Sequence, residues 1–203
     1  MATWIIETIT ASGYLGIFLL MLLEAVFPPI PSELIIPFAG FSAAQGKLSF
    51  AGVILAASLG SVAGMVPWYL AGRWFGLGRV RALADRYGRW FTLNADEIDL
   101  ATGIFHRFGP WIVLFGRLFP IIRTLISVPA GLARMPVALF FGASLVGILA
   151  WNTLLAGAGF ILAEHYELVE SWLDPLTLVV LLAVLALYAY RLATWRPSRR
   201  AER

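Results

Sequence analysis

The chain contains no cysteine. That excludes disulfides and thiolate metal sites, and it removes the usual sequence clue to redox compartment. Charge is also scarce: acidic and basic residues make up 13% of 203 residues, against 60% hydrophobic. An average soluble domain carries about twice that charge. With a mean hydropathy of +0.83, the composition implies one compact domain of an integral membrane protein. The two histidines, His106 and His165, flank separate apolar runs, so they assemble no metal cluster and no cofactor is expected. No serine sits in a G-x-S-x-G elbow or beside a credible His/Asp pair, so no enzyme active site is expected. Gly72, Gly76 and Gly78 superficially resemble a phosphate loop, but no strand precedes them. The net charge of +3 gathers in two clusters, which is a topology signal and not a nucleic-acid footprint. Before the first apolar run there is Glu7 but no Lys or Arg, and no A-x-A site follows. That segment is expected to remain in the mature protein.

What the chain has is long apolar runs, several broken by proline. Residues 1–12 fit a short interfacial helix with Trp4 near the headgroups, ended by Gly13. Residues 14–44 are apolar but hold Pro28, Pro29, Pro31 and Pro37, too many for one continuous helix. Residues 50–71 carry no charge and suffice for a span, which takes about 20 residues; Pro67 is expected to kink it. Residues 73–107 are polar and rich in arginine, and Asn94 with Glu97 resembles a helix start. Residues 108–134 are apolar again, broken by Pro110, Pro120 and Pro129. A long run at 136–162, an acidic loop at 164–174, an apolar stretch at 175–190 and a basic tail at 191–203 complete the chain.

Arginine-rich loops belong on the cytoplasmic side, so 73–107 and the tail should share a side opposite the acidic loop. That holds if 108–134 enters the membrane and returns, and fails if it crosses. Non-helical backbone at that depth must be buried in protein or face water. A weak internal repeat agrees. Pro28 and Pro37 are nine apart, as are Pro120 and Pro129, and one offset of 92 relates the two pairs. Each broken segment precedes a long helix, the pattern of an inverted-repeat transporter. The expected fold is an all-α polytopic membrane protein. It has two inverted re-entrant helical hairpins, about 14–44 and 108–134, each followed by a transmembrane helix, plus a C-terminal transmembrane helix at 175–190. The first half would be 1–72, the cytoplasmic linker 73–107 and the second half 108–162, within one membrane domain at 1–190.

Four charges lie inside the broken segments: Glu24, Glu33, Arg117 and Arg123. A charge at a helix centre in hydrocarbon costs at least about 2.5–3.5 kcal/mol, so such groups face a cavity and serve a function by default. Glu24 and Glu33 read as proton-coupling groups, because low dielectric favours a neutral carboxyl. Glu33 also suits a helix start after Pro31 and Ser32. Arg117 and Arg123 present planar forks that grip phosphate, with Thr124 and Ser127 as further ligands and freed amides after Pro120 as donors. Alternatively both arginines neutralise the two acids, or the roles alternate, with an ion pair when empty and arginine on phosphate when loaded. Pro28, Pro31, Pro37, Pro120, Pro129 and Gly131 form the helix-breaking scaffold. Asn152 is expected to bond between helices, and Gly60, Gly64, Gly157 and Gly159 to be close-packing sites.

At these residues the chain resembles the DedA family, also called the VTT or SNARE-associated family. The matching residues run Glu24, Pro28-Pro-Ile-Pro-Ser-Glu33, then Gly60, Gly64, Tyr69, Gly72-Arg73 and Gly76. They end in Phe115-Gly-Arg117, Pro120, Arg123, Pro129-Ala-Gly131 and Met135. With the spanning helices, the resemblance covers about residues 13–190. It implies a multi-pass protein of the bacterial inner membrane that moves a lipid, with undecaprenyl phosphate first and phosphatidylethanolamine flipping or scrambling second. It implies functional roles for the two acids and two arginines, and coupling to the proton motive force. Membrane lipids are the expected partners, with a homodimer open. An acid often follows the glycine at Gly64 in this family; here the residue is Met65. A proton-coupled cation antiporter, a lipid phosphatase and a purely structural scaffold are the other readings the residues leave.

Overall fold

The computed structural model describes residues 2–26, 32–91, 95–119, 122–123 and 126–162, with isolated positions 186, 190 and 192–194. Pro28, Pro29, Pro31, Pro120, Thr124, the acidic loop and, apart from those isolated positions, the expected last span and tail lie outside the described residues. Among the described residues the secondary structure is helix and turn, with no strand.

Among the described residues, six helices of a turn or more follow in order. They are α1 (Ala2–Val26), α2 (Ser32–Ala44), α3 (Phe50–Phe91), α4 (Ala95–Gly116), α5 (Ser127–Leu132) and α6 (Val137–Ile161). Three stretches are long and apolar enough to cross a membrane: Glu7–Val26, Phe50–Ala82 and Val137–Ile161.

Glycine sets the breaks. Gly13 interrupts α1 at φ 54°, ψ −128°, and Gly76 interrupts α3 at φ 67°, ψ 157°. Both are left-handed backbone that a Cβ disfavours. The non-helical break in α3 falls at Gly76, and Pro67 lies within the helix. Pro37 and Pro129 sit inside α2 and α5 and do not end them. Pro129 is in the first turn, where an amide has no intrahelical acceptor, and an interior Pro37 removes a single bond. Gly131 also lies within α5. Helix boundaries do not follow polarity. α3 continues past residue 73, and α4 runs unbroken through Phe108, because arginine, alanine and leucine all sustain a helix in water.

Two chain reversals close on themselves. The Tyr14 hydroxyl accepts from the Ser49 amide (2.7 Å) and donates to Ser49 Oγ (3.1 Å). The second half of α1 and all of α2 thus return to one level. Ser49 also caps α3, its Oγ accepting from the Gly52 amide at 3.1 Å. In the second reversal, a Cβ on Gly109 would lie 3.5 Å from Met135 Sδ. The turn out of α5 is a helix-ending motif: Met135 N–H donates to Ala130 O (3.1 Å) and Arg134 N–H to Gly131 O (2.9 Å).

Each reversal packs its short helix on the long helix of the other half. A Cβ on Gly40 would strike the Ala156 carbonyl, and one on Gly159 the Pro37 carbonyl, so α2 and α6 meet backbone to backbone. Likewise Gly72 abuts the Val128 carbonyl and Gly131 the Tyr69 carbonyl, joining α3 and α5. Gly60 and Gly64 are close-packing sites against α1, but Gly157 has nothing within 4 Å and faces open space. Two apolar cores result. One holds Ile17, Leu20, Met21, Ile35, Ile36, Val53 and Ala156; the other holds Met65, Tyr69, Val113, Ile126, Phe140 and Ile148.

Candidate functional site

Polar residues collect where the two cores meet, near the middle of α3 and α6. On α3 these are Ser58, Ser61 and Met65; on α6 they are Ser144, Trp151 and Asn152. Asn152 Nδ2 donates to Ser58 Oγ at 3.1 Å, the inter-helix bond expected of it. Into this seam α1 brings Glu24 at its C-terminal end, and the turn after α4 brings Arg117 and Arg123. All three are buried, at 5, 5 and 9% exposure. Trp68 Nε1 donates to Ala25 O (2.9 Å), which fixes the end of α1 that carries Glu24.

The two arginines do different things. Arg117 is enclosed by protein acceptors. Its Nε and Nη2 donate to Ser144 Oγ (3.3 and 3.1 Å), and Nη2 also to Ser127 Oγ (3.0 Å) and Met65 Sδ (2.9 Å). Nη1 donates to the Arg123 carbonyl, and the guanidinium lies 5.7 Å from the Phe140 ring centre. Arg117 therefore ties α3, α5 and α6 to the turn that presents Arg123. Arg123 forms an ion pair with Glu24 through Nη2, while its Nε has no acceptor.

A cavity of about 20 Å³ is lined by Glu24, Ala25, Ser61, Met65, Arg117, Arg123, Ile148, Trp151 and Asn152. That holds about one water-sized group. The lining brings two guanidinium groups and one carboxylate together, with Glu33 within electrostatic reach of that carboxylate. A buried charge left without a partner there is costly.

The expected site residues are thus only partly gathered. Glu24, Arg117 and Arg123 converge. Ser127 is fully buried, but its hydroxyl accepts from Arg117 and lies outside the cavity lining. Glu33 sits in the first turn of α2, within electrostatic reach of Glu24 but outside the lining; its Oε1 is buried without a partner. Thr124 is outside the described residues. Sequence reading missed Met65, Ser61, Ile148 and Trp151 as walls, and Ser144 as an acceptor for Arg117. Ser58 and Ser61 lie three apart in an otherwise apolar run, and Ser144 and Asn152 eight apart in another, so sparse polar pairs at helical spacing were available as a signal.

Among the described residues, no three His, Asp or Glu side chains gather as metal ligands.

The VTT domain pattern matches residues 30–161. The chain is 37% identical over 177 residues to a protein of Lactococcus lactis subsp. cremoris named alkaline phosphatase-like protein, covering 87% of this chain and 83% of that one. It is 32% identical over 186 residues to undecaprenyl phosphate transporter A of Staphylococcus aureus, covering 92% of each. It is 34% identical over 198 residues to the membrane protein YkoX of Bacillus subtilis, covering 98% of this chain and 86% of that one. No solved structure matches. The match over residues 30–161, on a chain that brings a buried acid and two arginines to one chamber, makes this protein a member of the VTT-domain, or DedA, family of membrane proteins.

Proposed function

We propose that the chain is a lipid flippase of the bacterial inner membrane. It carries a lipid phosphate, undecaprenyl phosphate first among candidates, while the apolar tail stays in the bilayer. The single observation behind this is the buried guanidinium of Arg123, paired with Glu24 and lining a small cavity. An anionic head group would neutralise it, and the barrier to moving a phosphate through hydrocarbon falls accordingly. The likeness to undecaprenyl phosphate transporter A supports the substrate.

In this reading Arg123 grips the phosphate and Arg117 holds the turn in place. The resting chamber is too small for a phosphate group, so entry requires Glu24 to leave Arg123. In the same reading phosphate entry brings a proton to the freed Glu24, with Glu33 as the next acceptor. Phosphate movement is thereby coupled to the proton gradient.

The closed reversals support re-entrant hairpins. α2 has 13 residues, and Tyr14–Val26 is equally long. At ~1.5 Å per residue each arm reaches ~20 Å, short of a ~30 Å hydrocarbon core. The two halves, 1–72 and 108–162, then insert from opposite faces. The polar stretch 73–107 and the tail 191–203 are cytoplasmic, and 175–190 is the last span.

The test is flipping of a fluorescent polyprenyl phosphate in proteoliposomes. Arg123→Ala is expected to lower the rate at least about 100-fold, the effect of losing a charge-assisted contact of about 3 kcal/mol. An unchanged rate ends the phosphate role. A phosphatidylethanolamine flippase or scramblase would move that lipid instead at the same site. An antiporter would move protons and small cations with no lipid phosphate present. The name of the Lactococcus relative raises phosphatase chemistry, for which release of inorganic phosphate is the diagnostic.

A further inference from the structure

Four buried side-chain atoms have no hydrogen-bond partner among the described residues: Ser32 Oγ, Glu33 Oε1, Arg123 Nε and Trp151 Nε1. The first two belong to the start of α2, away from the cavity lining. The other two belong to residues that line the chamber, and both are donors. An indole N–H and a guanidinium N–H can only donate. The Glu24 carboxylate, in the same lining, is engaged by Nη2 of Arg123. Asn152, next in the chain to Trp151, spends an amide hydrogen on Ser58.

Buried donors left unpaired are expensive, and a chamber whose orphans are all donors is made for a guest rich in acceptors. A metal cation or an ammonium group would bring no acceptor and would meet like charge. A phosphate brings several oxygens, and one non-bridging oxygen is about the size of the resting cavity. We infer that Trp151 is a second head-group ligand: its indole N–H and the Nε–H of Arg123 form a two-donor clamp on phosphate oxygen, reached from α6 and from the turn after α4. This rests on the flippase reading and adds the residue that selects an anionic acceptor over a cation or an alcohol of the same chain length.

The purified full-length protein in detergent would be titrated with three probes of one tail: farnesyl phosphate, farnesol and farnesylamine. Two variants remove the N–H: Trp151→Phe, and replacement of Trp151 by the isosteric benzothienylalanine, which keeps the packing. The expected result is about tenfold weaker farnesyl phosphate binding in both, as for loss of one bond to a charged acceptor, with farnesol unchanged. Equal farnesyl phosphate affinity in the benzothienyl protein overturns the clamp, as does farnesylamine binding the wild type more tightly than the phosphate. If Trp151→Phe does not fold, the isosteric replacement decides alone. A parallel flipping assay separates the two claims. Wild type that binds farnesyl phosphate through Trp151 but moves no polyprenyl phosphate overturns the flippase reading and leaves the clamp standing. Flipping abolished by Arg123→Ala, with an unchanged KM in both Trp151 variants, overturns the clamp alone.

Discussion

At the scale of single residues, the pair Glu24–Arg123 carries the most consequence. Both are buried, and Glu24 is the one carboxylate that Arg123 meets in the cavity lining, while Arg117 also lines the cavity near Glu24. Breaking a buried pair from one side costs about 3–5 kcal/mol, because the remaining charge stays in place. Glu24→Gln should therefore lower stability by that order, read as a drop in the melting midpoint in detergent. Glu24→Gln combined with Arg123→Gln should recover most of the loss but not transport, which separates the structural role from the functional one. A second residue invites the opposite test. Arg134 holds φ 50° as the left-handed residue ending α5, a conformation that costs a non-glycine residue about 1 kcal/mol. Arg134→Gly should stabilise the fold by about that amount in the same melt. The acids and arginines were visible in the sequence as charges out of place. The division of labour between them was not, since Arg117 is satisfied by Met65, Ser127 and Ser144 from three separate helices, and only the folded chain brings those together.

At the scale of elements, the short helices are positioned by glycine. Replacing Gly40 or Gly159 by Ala would force α2 away from α6, since a Cβ would meet backbone that cannot rotate aside. Overpacking of this kind costs about 1–3 kcal/mol, and both variants should show it in thermal unfolding. Gly157→Ala, two residues from Gly159 but facing open space, should not. If all three behave alike, the backbone contact between α2 and α6 is wrong. Of the paired prolines, Pro37 and Pro129 lie inside short helices, while Pro28, Pro120 and Asn94 lie outside the described residues. Helix lengths were less legible. Loss of apolarity near residue 73 looks like an end but is only a change of solvent, and the true interruption is a single backbone conformation at Gly76. The proline repeat gave no hint that each short helix would dock on the opposite half, because that depends on carbonyls and bare glycine faces and not on side-chain pattern.

At the scale of the whole molecule, insertion of the two halves from opposite faces is a statement about sidedness. With no native cysteine, single replacements report cleanly. Lys47→Cys and Arg134→Cys are both at exposed positions after the two reversals, and impermeant thiol reagents should label them from opposite sides of sealed vesicles. A spin label at Val26→Cys, the exposed end of α1, should report a depth near the bilayer centre. Labelling of Lys47→Cys and Arg134→Cys from one side, or Val26→Cys at the aqueous surface, would remove the inverted arrangement. Charge distribution alone argued for this sidedness, but it could orient only the second half, since the first carries few charges. The exchange of short helices also bears on how the protein is made. During synthesis α2 leaves the ribosome more than a hundred residues before the segment of α6 that receives it. Until then its glycine face has nothing to lie against. The first half must wait in the insertion machinery or be shielded there by a chaperone, and a chain halted before residue 156 should be cleared by membrane proteases as an unassembled fragment.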